Sequence, residues 1–300
     1  DGSVQFEAFK AGESSSFREL NAERWETSYD FEAVQTGNIV KSIIPHQRPS
    51  GITGFVMNTR KPKFADWRVR EALIAAFNFE FINQANTGGR QERITSYFSN
   101  SVLSMDAGPA KGRVREMLEP YADSLLPGTI EGYRLPQSDG SARNRKNIRA
   151  ADALLSQAGW TVQNGLRRNA EGFPFEINVA LKQGDTESQS MMDIYQQALE
   201  RLGITLITEV LDSAQYKERA QVYDFDMAYY RRGLSLSPGN EQMLYWGSYG
   251  VDQPGTRNWM GMNSPAAEAM IAKLVGSSSR EKFLAAAKAL DRILTAGRYV

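Results

Sequence analysis

The sequence predicts an α/β fold with a mixed or mostly parallel sheet flanked by helices. Three stretches carry that expectation: Phe173–Leu181, Ile204–Leu211 and Phe225–Tyr230 have strand-like apolar character, and amphipathic helical stretches separate them. A β-α-β-α-β order requires crossover connections, which make the strands parallel, place helices on the sheet faces and favour a right-handed path. A strand-turn-helix unit, Gly54–Asn83, precedes this run.

Taken in order, residues 4–11 (VQFEAFKA) are expected to be the end of a helix closed by Gly12. Residues 14–50 show no period and are expected to be irregular up to a Pro45–Pro49 exit. Phe55 and Met57 fall on one side of a strand, with Val56 and Asn58 on the other. Lys61-Pro62 ends that strand, because proline supplies no ladder donor. Asp66 is the expected N-cap of a helix whose stripe is Val69, Leu73, Phe77 and Phe81, with Arg68 and Arg70 turned to solvent. Residues 86–146, rich in Gly, Pro, Ser and Asn, predict long loops of the kind that are functional or wrap another surface.

Asn147–Trp160 (NIRAADALLSQAGW) predicts a short amphipathic helix ended by Gly159. In the first strand of the main run, Phe175, Ile177 and Val179 alternate with Glu176 and Asn178. Thr186 and Gln189 fit a capping box for a helix that buries Met191, Tyr195, Ala198 and Leu202 before Gly203. A second helix is expected over Ala214–Val222, between the second and third strands. Ser278 and Glu281 form another capping box, ahead of a helix with Phe283, Ala287, Leu290 and Leu294 on one face.

Composition narrows the chemistry. The 300 residues suit one large domain or two small ones. Thirty-five basic residues balance thirty-five acidic ones, so no global field points to nucleic acid. No apolar run approaches the length of a membrane span, and residues 1–30 are too polar for a signal peptide. Cysteine is absent, which removes thiol nucleophiles, disulfides and thiolate metal sites. A nucleophile triad would depend on His46, the single histidine, which no nucleophile motif accompanies; it is expected on a loop surface. Neither a cofactor nor a metal is expected.

The segment GFVMNTRKPKFADWRVREALIAAFNFEFIN resembles the one that opens the second lobe of the extracytoplasmic solute-binding proteins of family 5, the dipeptide- and oligopeptide-binding proteins of ABC importers. VQFEAFKAGE, NIRAADALLSQAGW, the run from Ile194 to Tyr230 and the stretch from Thr256 to Leu294 are similar to further parts of that family, in the same order. SLSPGNEQ with Tyr245-Trp246-Gly247-Ser248 resembles the oligopeptide and microcin C-type branch. The resemblance implies a periplasmic-binding-protein-like fold, type II of the large peptide-binding class. It assigns residues 1–52 to a remnant of lobe I and the hinge, 53–298 to lobe II, the ligand-binding α/β lobe, and 299–300 to the start of a return to lobe I. It also implies a periplasmic, monomeric, non-enzymatic receptor that captures oligopeptides between two lobes and hands them to permease subunits in the membrane. Two other readings stay open: the same scaffold holding an oligosaccharide, a metal chelate or an opine, and a carbohydrate-active hydrolase using paired carboxylates.

A receptor tolerant of many peptides reads backbone and termini with strand-like hydrogen bonds and charged anchors. The crevice beyond the carboxyl ends of parallel strands is the favoured place for such groups. There the third strand runs into Arg231-Arg232-Gly233-Leu234-Ser235-Leu236-Ser237-Pro238-Gly239-Asn240-Glu241. Arg231 or Arg232 suits a carboxylate clamp and Glu241 an ammonium, with Ser235, Ser237 and Asn240 as polar lining. Tyr230, Trp246 and Trp259 are candidate aromatic walls, and Asn58 and Arg60 candidate groups at the exit of the opening strand. The family resemblance would place an aspartate for the ligand amine in this region; this chain has arginines, serines and Asn240-Glu241 instead, so the amine anchor stays open. The plainer reading makes the arginines a solvated strand end, SLSPGN a turn capping a helix, and the aromatics packing.

Overall fold

In the computed structural model, residues 2–19 and 21–300 are described, and they divide into two compact units. The smaller comprises the residues up to His46 together with Asn83–Glu92; the larger comprises Gln47–Ile82 and Arg93–Val300.

In the smaller unit, α1 (Gly2–Lys10) ends just before Gly12, whose φ of +81° is the left-handed turn that a glycine takes without strain. The stretch expected to be irregular contains α2 (Ala22–Thr27) and α3 (Glu32–Gln35), both too short to show a period. Asn21 accepts the Arg24 N–H at the start of α2. An aromatic cluster of Phe6, Phe9 and Tyr29 is the core of this unit.

The larger unit is built on a four-stranded sheet in the order β1-β6-β4-β5. β1 (Ile52–Met57) leads through a proline turn into α4 (Trp67–Phe77), where Asp66 accepts the Arg68 N–H as expected. The stripe does not continue through one helix. Asn78 takes a left-handed φ of +53°, and α5 (Phe79–Thr87) starts afresh. Asparagine tolerates that conformation, so a chain break can hide inside an unbroken apolar period. Arg70 is also not solvated: it is buried and donates to the carbonyls of Phe64 (2.7 Å), Ala65 (2.8 Å) and Gly297 (3.0 Å). Carbonyls left over at turn and helix ends need donors, and a guanidinium supplies several at once.

The next segment carries α6 (Gly112–Leu118) and then α7 (Arg145–Gln157), followed by a hairpin of β2 (Thr161–Gln163) and β3 (Leu166–Arg168). Asn164-Gly165, both at positive φ, make the hairpin turn. β4 (Glu176–Lys182), α8 (Thr186–Glu200), β5 (Thr205–Leu211), α9 (Ser213–Gln221) and β6 (Met227–Arg232) form the expected β-α-β-α-β run. β5 and β6 lie on opposite edges of β4 and both run parallel to it, whereas β1 pairs antiparallel with β6. The N-cap of α8 is Asp185, one residue ahead of the predicted capping box, with its carboxylate 3.1 Å from the Ser188 N. α10 (Glu241–Trp246) and α11 (Pro265–Val275) lead to α12 (Arg280–Ala296), which is capped by Ser279 instead of Ser278.

Two cores flank the sheet. On one face Phe55, Met57, Ile177 and Val179 pack against α4, α7 and α8; on the other Val56, Ala228 and Tyr230 pack against α11 and α12. Two adjacent charged residues of α12 organise the long irregular segment. Asp291 accepts from Ser96 Oγ (2.7 Å), the Phe98 N (3.0 Å) and the Met105 N (2.8 Å). Arg292 donates to the carbonyls of Asp106 (2.7 Å), Gly108 (2.7 Å) and Thr129 (3.2 Å). The loop therefore wraps a helix of its own unit.

Burial pushes the Asp291 carboxyl up to about 6 despite the opposing hydrogen bonds from Met105, Ser96 and Phe98. Its folded value lies above the unfolded one, near 3.9, so its contribution to stability is full at low pH and is lost as pH rises through about 6. Urea denaturation should show this group adding about 1 kcal/mol between pH 7 and pH 5, a component that Asp291→Asn removes. Identical pH slopes for the two proteins would disprove it.

Candidate functional site

Strand direction sorts the candidate residues. β4, β5 and β6 end at Lys182, Leu211 and Arg232, on the same side of the sheet where β1 begins. β1 runs the other way, with Ile52 opposite Arg232 and Met57 opposite Met227. Asn58 and Arg60 therefore emerge at the amino ends of the parallel strands, roughly 17 Å along the strand axis from Arg231 and Arg232. The fold does not bring these two groups together.

At the amino-end pole, Asn58 is buried and donates to the carbonyls of Tyr223 (2.9 Å) and Phe225 (3.0 Å). Arg60 donates to the carbonyls of Val251 (2.7 Å), Gly250 (2.8 Å), Asn258 (2.8 Å) and Trp259 (3.2 Å), and stacks 3.7 Å over the Tyr223 ring. Burial lowers its pKa, with partial compensation from Tyr223 and Asp252. Asn58 pins the 223–225 turn, and Arg60 the 250–259 loop, to the end of β1.

At the carboxyl-end pole the picture differs. The Arg231 side chain is exposed and makes no hydrogen bond or ion pair among the described residues. Alternation along β6 points it to the face of Tyr229, while Arg232 turns to the face of Tyr230. The Arg232 guanidinium lies 4.6 Å from the Tyr245 ring and 5.6 Å from the Tyr230 ring, donates from Nε to the Tyr230 hydroxyl at 3.4 Å, and has no carboxylate partner among the described residues. Ser235, Ser237 and Asn240 are exposed on the following turn, where Ser235 Oγ accepts the Ser237 N–H at 3.1 Å. Both Glu241 oxygens face the Gly239 N (2.9 and 3.0 Å) at the first turn of α10. Burial raises the Glu241 pKa, but the hydrogen bonds from Gly239 and Gln242 outweigh it and leave a net lowering.

The aromatic candidates are mostly interior. Tyr230 is buried, and Trp246 is fully enclosed, its indole N–H given to Gln242 Oε1 at 2.8 Å. Trp259 is half-buried between Phe225 and Tyr230, at ring separations of 5.7 and 5.6 Å. What the carboxyl-end pole offers a ligand is thus two arginines without anionic partners, a hydroxyl-rich turn and the Asn240 amide. Lys182, at the end of β4 on the same side, is a further exposed cation without an ion pair, and only its strand-end position could have marked it in the sequence.

The family profile described as bacterial extracellular solute-binding proteins, family 5, middle, matches residues 1–253. A putative binding protein of Brucella melitensis is 40% identical over 295 residues, covering 98% of this chain and 48% of that protein. A probable peptide-binding protein, YejA, of Agrobacterium fabrum is 35% identical, covering 100% of this chain and 49% of that protein. The chain thus spans about half the length of these relatives. Among solved structures, the oligopeptide-binding protein AppA of Bacillus subtilis, in complex with a nonapeptide, superposes with a TM-score of 0.70 at 18% identity, over 99% of this chain and 51% of that one. That likeness establishes the type II periplasmic-binding-protein architecture, and the profile establishes membership: the chain belongs to the bacterial extracellular solute-binding proteins of family 5, a family of binding proteins.

Proposed function

We propose that this chain supplies one wall of an oligopeptide-binding cleft in the receptor of an ABC importer, which holds its ligand without turning it over and hands it to a membrane permease. Residues 53–298 are assigned to the second lobe, with residues 1–52 belonging to the first lobe and hinge and residues 299–300 starting the return. The location proposed for the whole protein is the periplasm. The single observation that carries the site is Arg231 and Arg232 standing without anionic partners where β6 ends.

A guanidinium binds a carboxylate through a planar fork, so either arginine suits a peptide C-terminus or an acidic side chain. Ser235, Ser237 and Asn240 are placed to meet peptide backbone groups directly or through water. Glu241 is the proposed receiver of an ammonium; it would keep its Gly239 contact while using its outer lone pairs. A lobe that closes on its ligand like a hinge would bring the other wall to these residues. An oligosaccharide, a metal chelate or an opine on the same scaffold remains the second reading.

The test uses the full-length protein, calorimetry and a defined peptide pool. Arg231→Ala and Arg232→Ala are expected to weaken peptide binding at least tenfold, about 1.4 kcal/mol, at an unchanged melting temperature. Unchanged affinity in both would remove the site assignment. Arg60→Ala is expected to do the reverse: it leaves backbone carbonyls unpaired and lowers stability by about 3 kcal/mol, with binding retained by the folded fraction. Loss of binding without loss of stability in Arg60→Ala would place the ligand at the wrong pole.

A further inference from the structure

The amino-end pole of the sheet holds a cavity of about 530 Å³, within the range of about 300–1,000 Å³ usual for small-molecule sites. Lys61, Lys63, Trp160, Asn169, Glu171 and Asp226 line it. It lies at the end of the sheet opposite Arg231 and Arg232, so the peptide reading of the carboxyl-end pole makes no use of it.

Asp226 is 5% exposed, and every hydrogen bond its side chain accepts falls on Oδ2. The donors are Lys63 Nζ (2.7 Å), the Asn178 N (2.8 Å) and Asn178 Nδ2 (3.2 Å). Its Oδ1 accepts none from the described residues. That oxygen retains access to solvent, so a ligand hydroxyl can take the place of water there. Around it stand further groups with unused capacity. Among the described residues, Lys61 and Glu171 form no ion pair, and the indole N–H of half-buried Trp160 has no acceptor. Asn169 accepts the Phe173 N–H on its Oδ1 at 2.8 Å, which leaves its amide N–H groups to donate. The Trp160 ring is held in place against Phe175, with centroids 4.3 Å apart.

These groups select among ligands by charge. Lys61 and Lys63 balance Glu171 and Asp226, so the cavity has no net charge to compensate a free cation or a free anion for the water it sheds. A neutral ring bearing several hydroxyls avoids both penalties. Its hydroxyls donate to Asp226 Oδ1 and Glu171 and accept from Lys61, Asn169 and the Trp160 N–H, while its apolar face packs on the indole. We propose that this cavity is a second ligand site, independent of the carboxyl-end pole, which takes a neutral sugar of one or two rings.

The test titrates the full-length protein with glucose and with maltose, following tryptophan fluorescence and saturation-transfer NMR. Saturable binding of at least one sugar below about 50 mM is expected, undiminished by excess peptide. The double variant Lys61→Ala/Glu171→Ala, whose changes lie outside the core, should weaken that binding at least fivefold and leave peptide affinity alone. Trp160→Phe keeps an aromatic ring against Phe175 and should abolish the fluorescence response. Absence of binding by both sugars, equal binding by the double variant, or competition by peptide would overturn the proposal. Tighter binding of putrescine or inorganic phosphate than of either sugar would do the same.

Discussion

β6 has a parallel neighbour on one edge and an antiparallel one on the other, and this asymmetry determines which pole each loop of the larger unit reaches. Because β4, β5 and β6 run together, the segments that follow them collect at one end of the sheet. Because β1 opposes them, whatever follows β1 is delivered to the other end. The chain leaves β4 through α8 on one face and leaves β5 through α9 to reach β6 beyond β4. Reversing direction across the sheet while changing face keeps both crossovers of one hand, the economical solution for a doubly covered sheet. The RRGLSLSPGNE turn and the Asn58-Thr59-Arg60 turn are thus kept apart by topology.

Buried arginine is the second organising device. Arg60, Arg70, Arg167 and Arg292 each donate to two or more main-chain carbonyls, at least one of them in a segment distant in sequence. The planar fork lets one side chain satisfy acceptors from different loops in a fixed geometry, which a lysine cannot reproduce. Irregular backbone brought inside a domain must find such donors, because its carbonyls have no ladder partner. Asp291 does the complementary work, collecting N–H groups from the loop that Arg292 holds by its carbonyls. The pair of opposite charges on consecutive residues of α12 thereby orders a segment that carries little regular structure of its own.

The same arginines mark the limit of what the sequence disclosed. The β-α-β-α-β run was legible because its signals are local: Phe175, Ile177 and Val179 alternate, and Met191, Tyr195, Ala198 and Leu202 recur at helical spacing, although the structure buries Met192 and Leu199 beside Tyr195 and Leu202 and leaves Met191 only partly covered. Asp66 was legible as a cap for the same reason. Arg70 was not, since its acceptors at Phe64, Ala65 and Gly297 are assembled only by the tertiary fold. Asn78 broke a helix inside an intact apolar period, and Asp185 and Ser279 displaced neighbouring caps by one residue, because several oxygen-bearing side chains in a row compete for the same N–H groups. The Asn164-Gly165 turn was present in the sequence as a hairpin signal, but its three-residue strands are too short to show alternation.

The candidate site was legible in chemistry but not in placement. Asn58, Arg60 and Arg231 look alike in sequence as polar groups at a strand exit, yet the first two have given their hydrogen bonds to the protein and the third has given none. That difference separates a structural group from a ligand-facing one more sharply than residue type does. A side chain whose donors are already met at 2.7–3.0 Å gains little from a ligand and loses packing if it moves. A partnerless guanidinium beside a hydroxyl-rich turn gains a charge-assisted bond when a carboxylate arrives, at the cost of the water it sheds. By this measure Trp246 and Tyr230 belong to the core that holds β6 in place, and Arg231 and Arg232 to the surface that β6 presents. The rigid aromatic packing behind the strand fixes where the arginines project, and so links the interior of the larger unit to the surface proposed to meet a ligand.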